Sequence, residues 1–386
     1  MNIVALKMLV GDRAKYLGII TGLTFASLLI TQQAAIFIGL MIRTYGSISD
    51  MGYPDIWVMD PKVQYLDDVK PLQDTQLYRV RSVPGVDWAA PLFKSYIRAR
   101  LADGTFQTCI VFGLDDATLI GGPPEMAEGS IADLRRSDAV IVDEVGATTK
   151  LARPPRDPDG PRVPLKVGDS IELNDHRAIV VGICRVSRTF QSYPVIFTTY
   201  SRATEFAPIE RKRLCFVLVK AEPGQDKQEL CDRIGRLTGL AAYTKEGFSR
   251  MTVVYYLKYT GVAINFGIAV ALGFVVGAAI AGQTFYNFTL DNLRYFGTFK
   301  AMGATNAQLL GMIVLQALLV GAIGYGLGVG GAAGIGYFLR DTQLAFRLPW
   351  QLMVASAGAI ALICTLSAIT SVRKVIRLEP AIVFKS

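Results

Sequence analysis

The sequence predicts a membrane protein with four transmembrane α-helices and one large α+β domain, placed between the first helix and the other three. Three observations lead to this fold class. Hydrophobic residues make up 51% of the 386 residues, whereas charged residues make up only 19%. The apolar residues are concentrated in one run near the N-terminus and in three runs in the last third of the chain. The segment between the first two runs has the composition of a soluble domain.

The first apolar run predicts a helix over residues 16–42, preceded by a basic segment at 1–15. At about 1.5 Å per residue, this run is long enough to cross roughly 30 Å of membrane hydrocarbon. A cleaved signal peptide is the alternative, but its apolar core would span only about 7–15 residues and precede an A-x-A site. No such site follows here. We therefore interpret the run as a retained transmembrane helix.

The last third of the chain divides into six predicted segments. They are a helix at 258–287, a connection at 288–307, a helix at 308–339, a loop at 340–347, a helix at 348–372 and a basic tail at 373–386. Each of the three helices is long enough to span the hydrocarbon. The segment at 43–257 contains no such run and is the predicted domain.

Basic residues near the helix ends predict the orientation, because short cytoplasmic flanks of membrane proteins are rich in lysine and arginine. They are Lys7, Arg13, Lys15, Arg294, Lys300, Arg373, Lys374, Arg377 and Lys385. All of them lie on one side of the membrane if four helices span it. Both termini and the connection at 288–307 are therefore predicted to be cytoplasmic, and the large domain external. The loop with Arg340 and Arg347 fits this rule less well.

The predicted domain mixes strand-like and helix-like segments, which indicates an α+β fold. The dipeptides Asp103-Gly104 and Asn174-Asp175 each separate two strand-like runs and predict hairpins. A proline-rich loop at 153–164 leaves open a division of the domain into two lobes. A helix that starts near Gly247 is expected to continue directly into the second spanning helix.

Few residues in the chain could carry chemistry, and we predict no catalytic, cofactor-binding or metal-binding residue. The single histidine, His176, leaves no histidine-built site. The acidic pairs Asp115-Asp116 and Asp143-Glu144 lack a histidine or nucleophile partner and are interpreted as solvated loop charges. The net charge of +8 is not arranged with aromatic residues as in nucleic-acid binding. A membrane protein beside anionic lipid headgroups explains it more simply.

The five cysteines leave two interpretations open. Cys109, Cys184, Cys215 and Cys231 lie in the predicted domain, and Cys364 lies in the last spanning helix. If the domain is external, a disulfide among the first four is possible, and buried free thiols are the alternative. No CxxC spacing occurs.

Glycines recur at intervals of four in two predicted spanning helices. Gly273 and Gly277 lie in the second helix, and Gly326, Gly330 and Gly334 in the third. Small residues at this spacing allow two helix backbones to approach closely. The glycines therefore predict either packing within the chain or a seam between two copies of it.

Four polar side chains lie inside predicted spans. They are Gln32 and Gln33 in the first helix and Asn265 and Gln283 in the second. Because amide side chains are costly to place against lipid, we expect them to face other helices. Contact with a ligand is the alternative.

The connection at 288–307 has a composition suited to docking on a soluble protein, and an idle loop beside lipid headgroups is the alternative. Its candidate contact residues are Arg294, Phe296, Phe299, Lys300 and Met302, followed by Gly303 and Ala304, where glycine allows a tight turn. The chain contains no G-x-x-x-x-G-K-[ST] loop and therefore cannot hold ATP phosphates in the P-loop manner.

Three stretches resemble the FtsX/MacB family of ABC transporter permeases. Residues 293–305 read LRYFGTFKAMGAT and are similar to the family pattern R-E-x-G-x-L-[RK]-A-[LM]-G-A-[ST], with Tyr295 in place of the usual acidic residue. Residues 167–183 are similar to a hairpin of the MacB-type periplasmic domain. Residues 373–381 resemble the basic tail that ends in D/E-P-A.

A finer resemblance is to the DevC branch of this family, which works with an adaptor protein in glycolipid export by cyanobacteria. It rests on Gly11-Asp-Arg13 before the first helix, on Gln32-Gln33 inside it and on the segment Pro54–Met59. Tyr295 leaves in doubt any ion pair that the family makes at that position.

The resemblance implies the membrane subunit of an ABC exporter in the bacterial inner membrane, with no enzyme activity and no cofactor of its own. It implies two copies of this chain with two ATPase subunits that bind ATP and Mg²⁺, and further implies a periplasmic adaptor and an outer-membrane channel. In such permeases the segment at 293–305 is the coupling helix that docks on the ATPase. ATP-driven closure then moves the outer domains and drives efflux of a lipid-like or amphipathic molecule.

Two other functions compete with export. One is a transmitter like cell-division FtsX, which controls a periplasmic partner and transports nothing. The other is a receptor, which is disfavoured because no kinase, methyl-accepting or cyclase domain is present. The sequence does not predict the transported molecule.

Overall fold

The computed structural model describes residues 13–155, 160–208, 214–340 and 342–376, with the backbone alone at 13–15 and 372–376. The chain divides into two compact units. The helical unit comprises residues 1–40 and 261–386, and the globular domain comprises Met41–Thr260. The basic residues that predict the orientation before the first helix and in the C-terminal tail have side chains outside the described residues.

The secondary structure follows the predicted order of one helix, a mixed domain and three further long helices. Up to the end of the globular domain, the elements are α1 (Arg13–Asp50), β1 (Ile56–Met59), α2 (Thr75–Arg81), β2 (Val86–Arg100), β3 (Phe106–Leu114), β4 (Glu125–Glu128), a 3-10 helix (Ile131–Arg135), β5 (Ala139–Asp143), α3 (Glu144–Thr148), β6 (Ser170–Leu173), β7 (His176–Arg185), β8 (Val195–Thr199), α4 (Tyr200–Phe206), β9 (Phe216–Ala221), α5 (Lys227–Thr238), β10 (Ala241–Thr244) and α6 (Lys245–Tyr259). The rest of the chain forms α7 (Val262–Asp291), α8 (Leu293–Ala301), α9 (Asn306–Phe338) and α10 (Trp350–Ile376).

Within the part of the chain that the structure describes, four helices are long and apolar enough to cross a membrane, and they confirm the predicted fold class. The candidate spans are Tyr16–Asp50, Val262–Asp291, Asn306–Phe338 and Trp350–Ser371. Helix α1 continues to Asp50, past the predicted end at residue 42, and its last part, Met41–Asp50, belongs to the globular domain.

The expected unbroken helix from Gly247 into the second span is wrong. Helix α6 begins at Lys245 and ends at Tyr259, Thr260 adopts an extended conformation, and α7 begins after Gly261. The break has a local cause, because β-branched threonine has a low helix propensity and glycine costs about 1 kcal/mol relative to alanine in a helix. The second spanning helix is therefore a separate element that follows a short break.

The globular domain is built on one ten-stranded sheet in which β2 links two half-sheets. The strand order is β10-β1-β9-β2-β3-β8-β5-β7-β4, and β6 pairs with β2 and β7. The first part of β2, Val86–Leu92, pairs with β9, and the second part, Phe93–Arg100, pairs with β3. Strand β2 therefore passes from the first half-sheet to the second between Leu92 and Phe93.

Two helices cover one face of the first half-sheet. Val80 of α2 and Leu230 and Ile234 of α5 are buried in one hydrophobic cluster with residues of β1 and β9. Helix α5 has a regular start and end, because Asp226 accepts a hydrogen bond from the Glu229 N–H at 2.8 Å and Gly239 has φ of 76°. These are the usual N-cap and C-cap arrangements.

The proline-rich segment at 153–164 does not divide the domain into two lobes. Strand β5 before it and β7 after it are parallel neighbours in the same half-sheet. The backbones of Arg153 and Val163 pair at its base, and residues 156–159 lie outside the described part of the chain. The segment lies between α3 and β6, in the half-sheet that contains β5 and β7, and the change between half-sheets lies inside β2.

Both predicted hairpins are confirmed. Strands β2 and β3 pair antiparallel next to Gly104, which has φ of 82°, and β6 and β7 pair across Asn174 and Asp175. The last two residues have φ of 48° and 65°, as a two-residue type I′ turn requires.

Candidate functional site

The predicted coupling residues lie in α8 and in the turn that follows it. Gly303 has φ of 94°, a conformation that favours glycine, and it ends the α8 segment. Thr305 then caps α9: its hydroxyl accepts from the Gln308 N–H at 3.3 Å, and the Gln308 side chain accepts from the Thr305 N–H at 2.9 Å. This capping box holds the turn between α8 and α9 in one conformation.

Helix α8 has one buried and one exposed face. Phe296 is fully buried in the core of the helical unit together with Phe285 and Leu309, and Phe299 is half-buried against the same core. Phe296 is therefore an anchor of α8 and is not available to a partner, which corrects its prediction as a contact residue.

The exposed face of α8 keeps the other predicted contact residues at the surface. Arg294 is exposed, and 70% of the Met302 side chain is accessible, whereas Lys300 and Ala304 are half-buried. Tyr295, at the position where the resembling family has an acidic residue, is 59% exposed. The exposed part of this surface is thus basic and apolar.

Two of the predicted glycines pack α7 against α1. A Cβ atom added at Gly277 would lie 2.4 Å from Ala26 Cβ, and one at Gly273 would lie 3.3 Å from Leu29 Cβ. Both helices therefore depend on these glycines for their close approach, as the packing interpretation predicts.

The other three predicted glycines do not pack within the described chain. A Cβ atom added at Gly326, Gly330 or Gly334 would have no atom within 4 Å. The packing interpretation is therefore wrong for these three, and the seam between two copies stays a prediction.

The opposite face of α9 contains the glycines that do pack. A Cβ atom added at Gly324 would lie 2.8 Å from Leu23 Cβ, and one at Gly328 would lie 2.5 Å from Ser27 Cβ. Sequence reasoning missed this pair because glycines occupy several faces of α9, so that the spacing of four occurs on more than one of them.

Two amides of α7 do not face other helices in the described part of the chain, contrary to expectation. Asn265 and Gln283 are exposed, and the Gln283 side-chain amide donates to Asn287 on the same helix at 3.5 Å. Gln32 and Gln33 of α1 are half-buried. Asn265 and Gln283 lie on the same face of α7, because residues 18 positions apart share one face of an α-helix. That face is exposed at both positions.

Comparison with known proteins identifies the family of this chain. The MacB-like periplasmic core domain matches residues 17–237, which is more than half of the chain. The FtsX-like permease C-terminal domain matches residues 253–380. The chain belongs to the FtsX/MacB family of ABC transporter permeases. This permease is therefore a multi-pass membrane protein and a transport subunit, and its family implies an ATPase partner.

The relatives of the permease include uncharacterised proteins of bacteria and archaea. An uncharacterised ABC transporter permease of Mycobacterium tuberculosis is 25% identical over 374 residues, which cover 94% of this chain and 93% of the relative. An uncharacterised ABC transporter permease of Methanocaldococcus jannaschii is 26% identical over 165 residues, which cover 42% of this chain and 41% of the relative.

Two solved structures are similar to part of the permease. The periplasmic region of MacB from Actinobacillus actinomycetemcomitans matches with a TM-score of 0.36 and 14% identity, and covers 53% of this chain and 94% of its own. The extracellular domain of YknZ, a noncanonic ABC-type transporter from Gram-positive bacteria, matches with a TM-score of 0.35 and 11% identity. The match covers 49% of this chain and 98% of the YknZ domain.

Asp143 of the permease is buried and structural, so its interpretation as a solvated loop charge is wrong. Its carboxylate accepts hydrogen bonds from the backbone N–H groups of Gly146 and Val195, each at 2.7 Å. Burial raises the pKa of Asp143 to about 6, and these hydrogen bonds oppose the shift. The carboxylate both caps α3 and holds the start of β8.

The other three acids of the predicted pairs also have structural partners. Glu144 accepts a hydrogen bond from Arg185 at 2.8 Å, and Asp115 accepts from the Thr118 N–H at 3.0 Å. The backbone N–H of Ser201 donates to Asp116 at 3.2 Å. Local capping by aspartate is the ordinary reason for such contacts.

The remaining residues singled out in the sequence make no reactive site in the described chain. All five cysteines are buried free thiols, which agrees with the free-thiol interpretation and not with a disulfide among the first four. His176 is exposed, and its Nδ1 lies 2.8 Å from the Asn174 carbonyl oxygen. The described residues contain no group of three histidine, cysteine or acidic side chains that could hold a metal ion.

A contact that sequence reasoning missed ties the end of α1 to the start of α6 inside the globular domain. The Lys245 ammonium donates to the carbonyl oxygens of Ser49 at 2.7 Å and Met51 at 3.1 Å. Asp50 accepts from the N–H and the hydroxyl of Ser187, both at 2.8 Å. A lysine at the end of a helix is favourable, because the last carbonyl groups carry partial negative charge.

Proposed function

We propose that the permease couples ATP hydrolysis by a separate ATPase to movement of its globular domain, and that this movement drives efflux of a lipid-like or amphipathic molecule. The observation that carries the proposal is the division of α8 into two faces. Arg294 and Met302 are exposed, whereas Phe296 is buried among the long helices. A partner that moves the exposed face of α8 would therefore move the helices that hold Phe296.

The composition of the spans supports transmission of motion in preference to a polar conduit. Residues 16–42, 262–290, 306–338 and 350–372 contain no Asp, Glu, Lys or Arg. Polar pathways through membranes usually need such residues. Gly277 and Gly328 bring α7 and α9 into close contact with α1. This close packing supports the proposal that the helices move as rigid bodies.

The proposed assembly has two copies of this chain and two ATPase subunits in the bacterial inner membrane. Both termini and the α8 segment would be cytoplasmic, and the globular domain periplasmic. ATP and Mg²⁺ would be bound by the ATPase. A periplasmic adaptor and an outer-membrane channel would complete the path of the exported molecule, in agreement with the resemblance to the DevC branch.

The proposed docking surface, which includes Lys300 and Met302, can be tested by replacing its basic and apolar side chains with acidic ones. Lys300→Glu combined with Met302→Asp should abolish co-purification of the ATPase with the permease. The matched control is Arg236→Glu combined with Leu237→Asp, which makes the same kinds of change on exposed residues of the globular domain. If the α8 variant keeps its ATPase and its transport unchanged, residues 291–305 are not the coupling element.

A transmitter that transports nothing is the second candidate, because uncharged spans suit it equally well. Reconstituted permease and ATPase, supplied with a labelled lipid-like molecule on one side only, distinguish the two functions. ATP-dependent transfer of this molecule supports export. ATP-driven movement of the globular domain without any transfer supports the transmitter, and export of a soluble molecule from the ATPase side overturns the proposed mechanism.

A further inference from the structure

The last part of α1, Met41–Asp50, packs inside the globular domain against residues 186–194, which connect β7 to β8 and are called the β7–β8 segment below. A Cβ atom added at Gly46 would lie 2.7 Å from Ser187 Cβ. Gly46 is buried, so the absence of a side chain is what allows the helix backbone to approach the segment this closely.

Polar contacts on both sides of Gly46 hold α1 to the β7–β8 segment. The Arg43 guanidinium donates to the Ser192 hydroxyl at 3.3 Å. At the end of the helix, the N–H and the hydroxyl of Ser187 donate to different oxygens of the Asp50 carboxylate, both at 2.8 Å. Positions three and four apart share one face of an α-helix, so residues 43, 46 and 50 form one contact face. Two hydrogen bonds to the charged carboxylate also fix its orientation.

Asp50 is an unfavourable residue for the helix that contains it. The last carbonyl groups of a helix carry partial negative charge, so a carboxylate at this end is repelled. The Lys245 ammonium offsets part of this cost, since it donates to the carbonyl oxygens of Ser49 and Met51. Residues that conflict with their local structure are expected at functional positions. The contact with Ser187 gives Asp50 such a position.

The β7–β8 segment belongs to the second half-sheet, so its contact with Asp50 connects α1 to that half-sheet. Strand β7 pairs with β5, and β8 pairs with β3. Inside the segment, the Ser192 N–H donates to the Thr189 carbonyl oxygen at 3.0 Å, and the Thr189 hydroxyl donates to the Tyr193 carbonyl oxygen at 3.3 Å. These bonds give the segment a defined shape. A displacement of Ser187 therefore acts directly on β7, which ends two residues before it.

Helix α1 is the stiffer of the two connections that enter the globular domain. It runs from Arg13 to Asp50 as one helix, whereas the helices α6 and α7 are separated by a break at Thr260 and Gly261. After α1, the chain continues into β1, which begins at Ile56 in the first half-sheet. The end of α1 is thus joined to the first half-sheet by the chain itself and to the second half-sheet by hydrogen bonds.

We propose that Asp50 and Ser187 are positioning residues that make the second half-sheet follow a displacement of α1. Without their hydrogen bonds, the displacement would reach the first half-sheet through the chain and leave the second half-sheet behind. The inference rests on the proposed function, in which ATP hydrolysis moves the globular domain. It deepens that function because it names the contact that carries the motion to the second half-sheet.

The test compares ATP-dependent movement of the two half-sheets in the complex of permease and ATPase in lipid nanodiscs. A spin label at Gln228→Cys on α5 reports on the first half-sheet, and a label at Ala127→Cys on β4 reports on the second, both at exposed positions. In the proposed assembly of two copies, each singly labelled protein gives one distance between the copies. The five native cysteines are buried and leave the introduced thiol as the accessible one. This distance and the ATPase rate are recorded with and without ATP.

The key variants are Asp50→Ala, which removes both hydrogen bonds, and Ser187→Ala, which removes the one from the hydroxyl. Alanine has a higher helix propensity than aspartate, so Asp50→Ala does not weaken α1 itself. The matched controls are Asp116→Ala and Ser201→Ala. Ser201 likewise donates its N–H, at 3.2 Å, and its hydroxyl to the Asp116 carboxylate, but this pair joins the ends of β3 and β8 inside the second half-sheet. Ser187→Ala decides the question if Asp50→Ala does not fold.

We expect the parent and both controls to show an ATP-dependent change of distance at both labels. Asp50→Ala and Ser187→Ala should keep the ATPase rate and the response of the α5 label. At the β4 label, they should shift the ATP-dependent equilibrium between the two distances about threefold or more toward the resting one.

An unchanged response of the β4 label in either variant that folds would overturn the inference. An equal loss at both labels would show a merely structural role and overturn it as well. The same holds for a parent in which the α5 label responds to ATP and the β4 label does not. A parent without any ATP-dependent change at either label would overturn the proposed function itself.

Discussion

The helical unit and the globular domain achieve close packing in different ways. In the helical unit the apolar stretches of the spans, such as residues 262–290 and 306–338, contain no charged residue, and glycines such as Gly277 and Gly328 allow α7 and α9 to approach α1. The globular domain instead buries charged groups, of which Lys94 and Asp143 each have a defined partner. Inside a membrane, two helices gain no hydrophobic free energy when they associate, because lipid tails are as apolar as their side chains. Their packing therefore depends on how closely the backbones can approach. In the water-exposed domain the hydrophobic core forms readily, and each buried charge must then be paired.

The largest effect should come from filling a glycine contact between helices. Gly328→Val would place atoms 2.5 Å from Ser27 Cβ and 2.7 Å from the Thr24 carbonyl oxygen. We expect a loss of about 3 kcal/mol or loss of the folded helical unit, because overpacking of this kind forces backbones apart. Thermal unfolding of the detergent-purified permease measures it.

Gly330→Val is the matched control, since a Cβ atom at Gly330 meets nothing within 4 Å. It should leave the unfolding temperature of a single chain unchanged. If it destabilises the chain as much as Gly328→Val, the assignment of the packing face of α9 is wrong. A loss of cross-linking between copies in Gly330→Val alone would support the predicted seam.

A second prediction concerns the pH dependence caused by Asp143. Burial raises its folded pKa to about 6, above the ordinary value of 3.8, so the folded state binds more protons than the unfolded state between these two values. Stability from this group therefore falls as pH rises through this window, by about 2 kcal/mol. Asp143→Asn does not titrate, so it should gain stability relative to the parent between pH 4 and pH 7.

Melting temperatures of parent and Asp143→Asn at pH 4.5 and pH 7 check this sign. A difference between the two proteins that stays constant over this range would contradict the assignment. The N–H groups of Gly146 and Val195 donate to different oxygens of Asp143, so asparagine keeps only one of the two hydrogen bonds. The resulting loss of stability does not depend on pH, and the test therefore compares the change in the difference between the two pH values.

A third prediction gives the opposite pH dependence at Asp55. Burial raises its pKa, but the hydrogen bonds and charges of Lys227 at 2.7 Å and Lys220 at 3.0 Å outweigh burial and lower it below 3.8. Its stabilisation is complete above pH 3.8 and is lost as pH falls through the lower folded pKa. Asp55→Asn should cost about 1 kcal/mol at pH 7, because both lysines are substantially exposed.

Urea titration of the permease at pH 7 and pH 3 measures the Asp55 effect. The difference between parent and variant should shrink at the lower pH. A difference that grows on acidification would show that the two lysines do not stabilise the Asp55 carboxylate.

The smallest effect should come from the surface pair of Glu144 and Arg185. Both side chains are about half exposed, and their closest atoms lie 2.8 Å apart. We expect Glu144→Gln to change the free energy of unfolding by no more than about 0.5 kcal/mol, because exposed ion pairs contribute little. A loss as large as that of Gly328→Val would show that the comparison between the two units does not hold.

Local patterns were sufficient to predict much of this architecture. The four apolar runs predicted the spanning helices, and Asn174-Asp175 predicted a hairpin turn, because length, polarity and turn conformation depend on neighbouring residues. The short strands β8 and β10 were not predicted. Strand β10 pairs with β1, which lies nearly two hundred residues earlier in the chain. The residues around β10 do not indicate that partner.

By itself the sequence determined the number and order of the spans, the absence of charged residues from their apolar runs and the segment that is predicted to couple to the ATPase. Only the tertiary structure decided which side chains of that segment are exposed, because the burial of Phe296 depends on Phe285 and Leu309 from other helices. It also decided which glycines pack and that the buried Lys94 pairs with Asp67. These features depend on contacts between residues distant in the chain, which periodicity and composition do not contain.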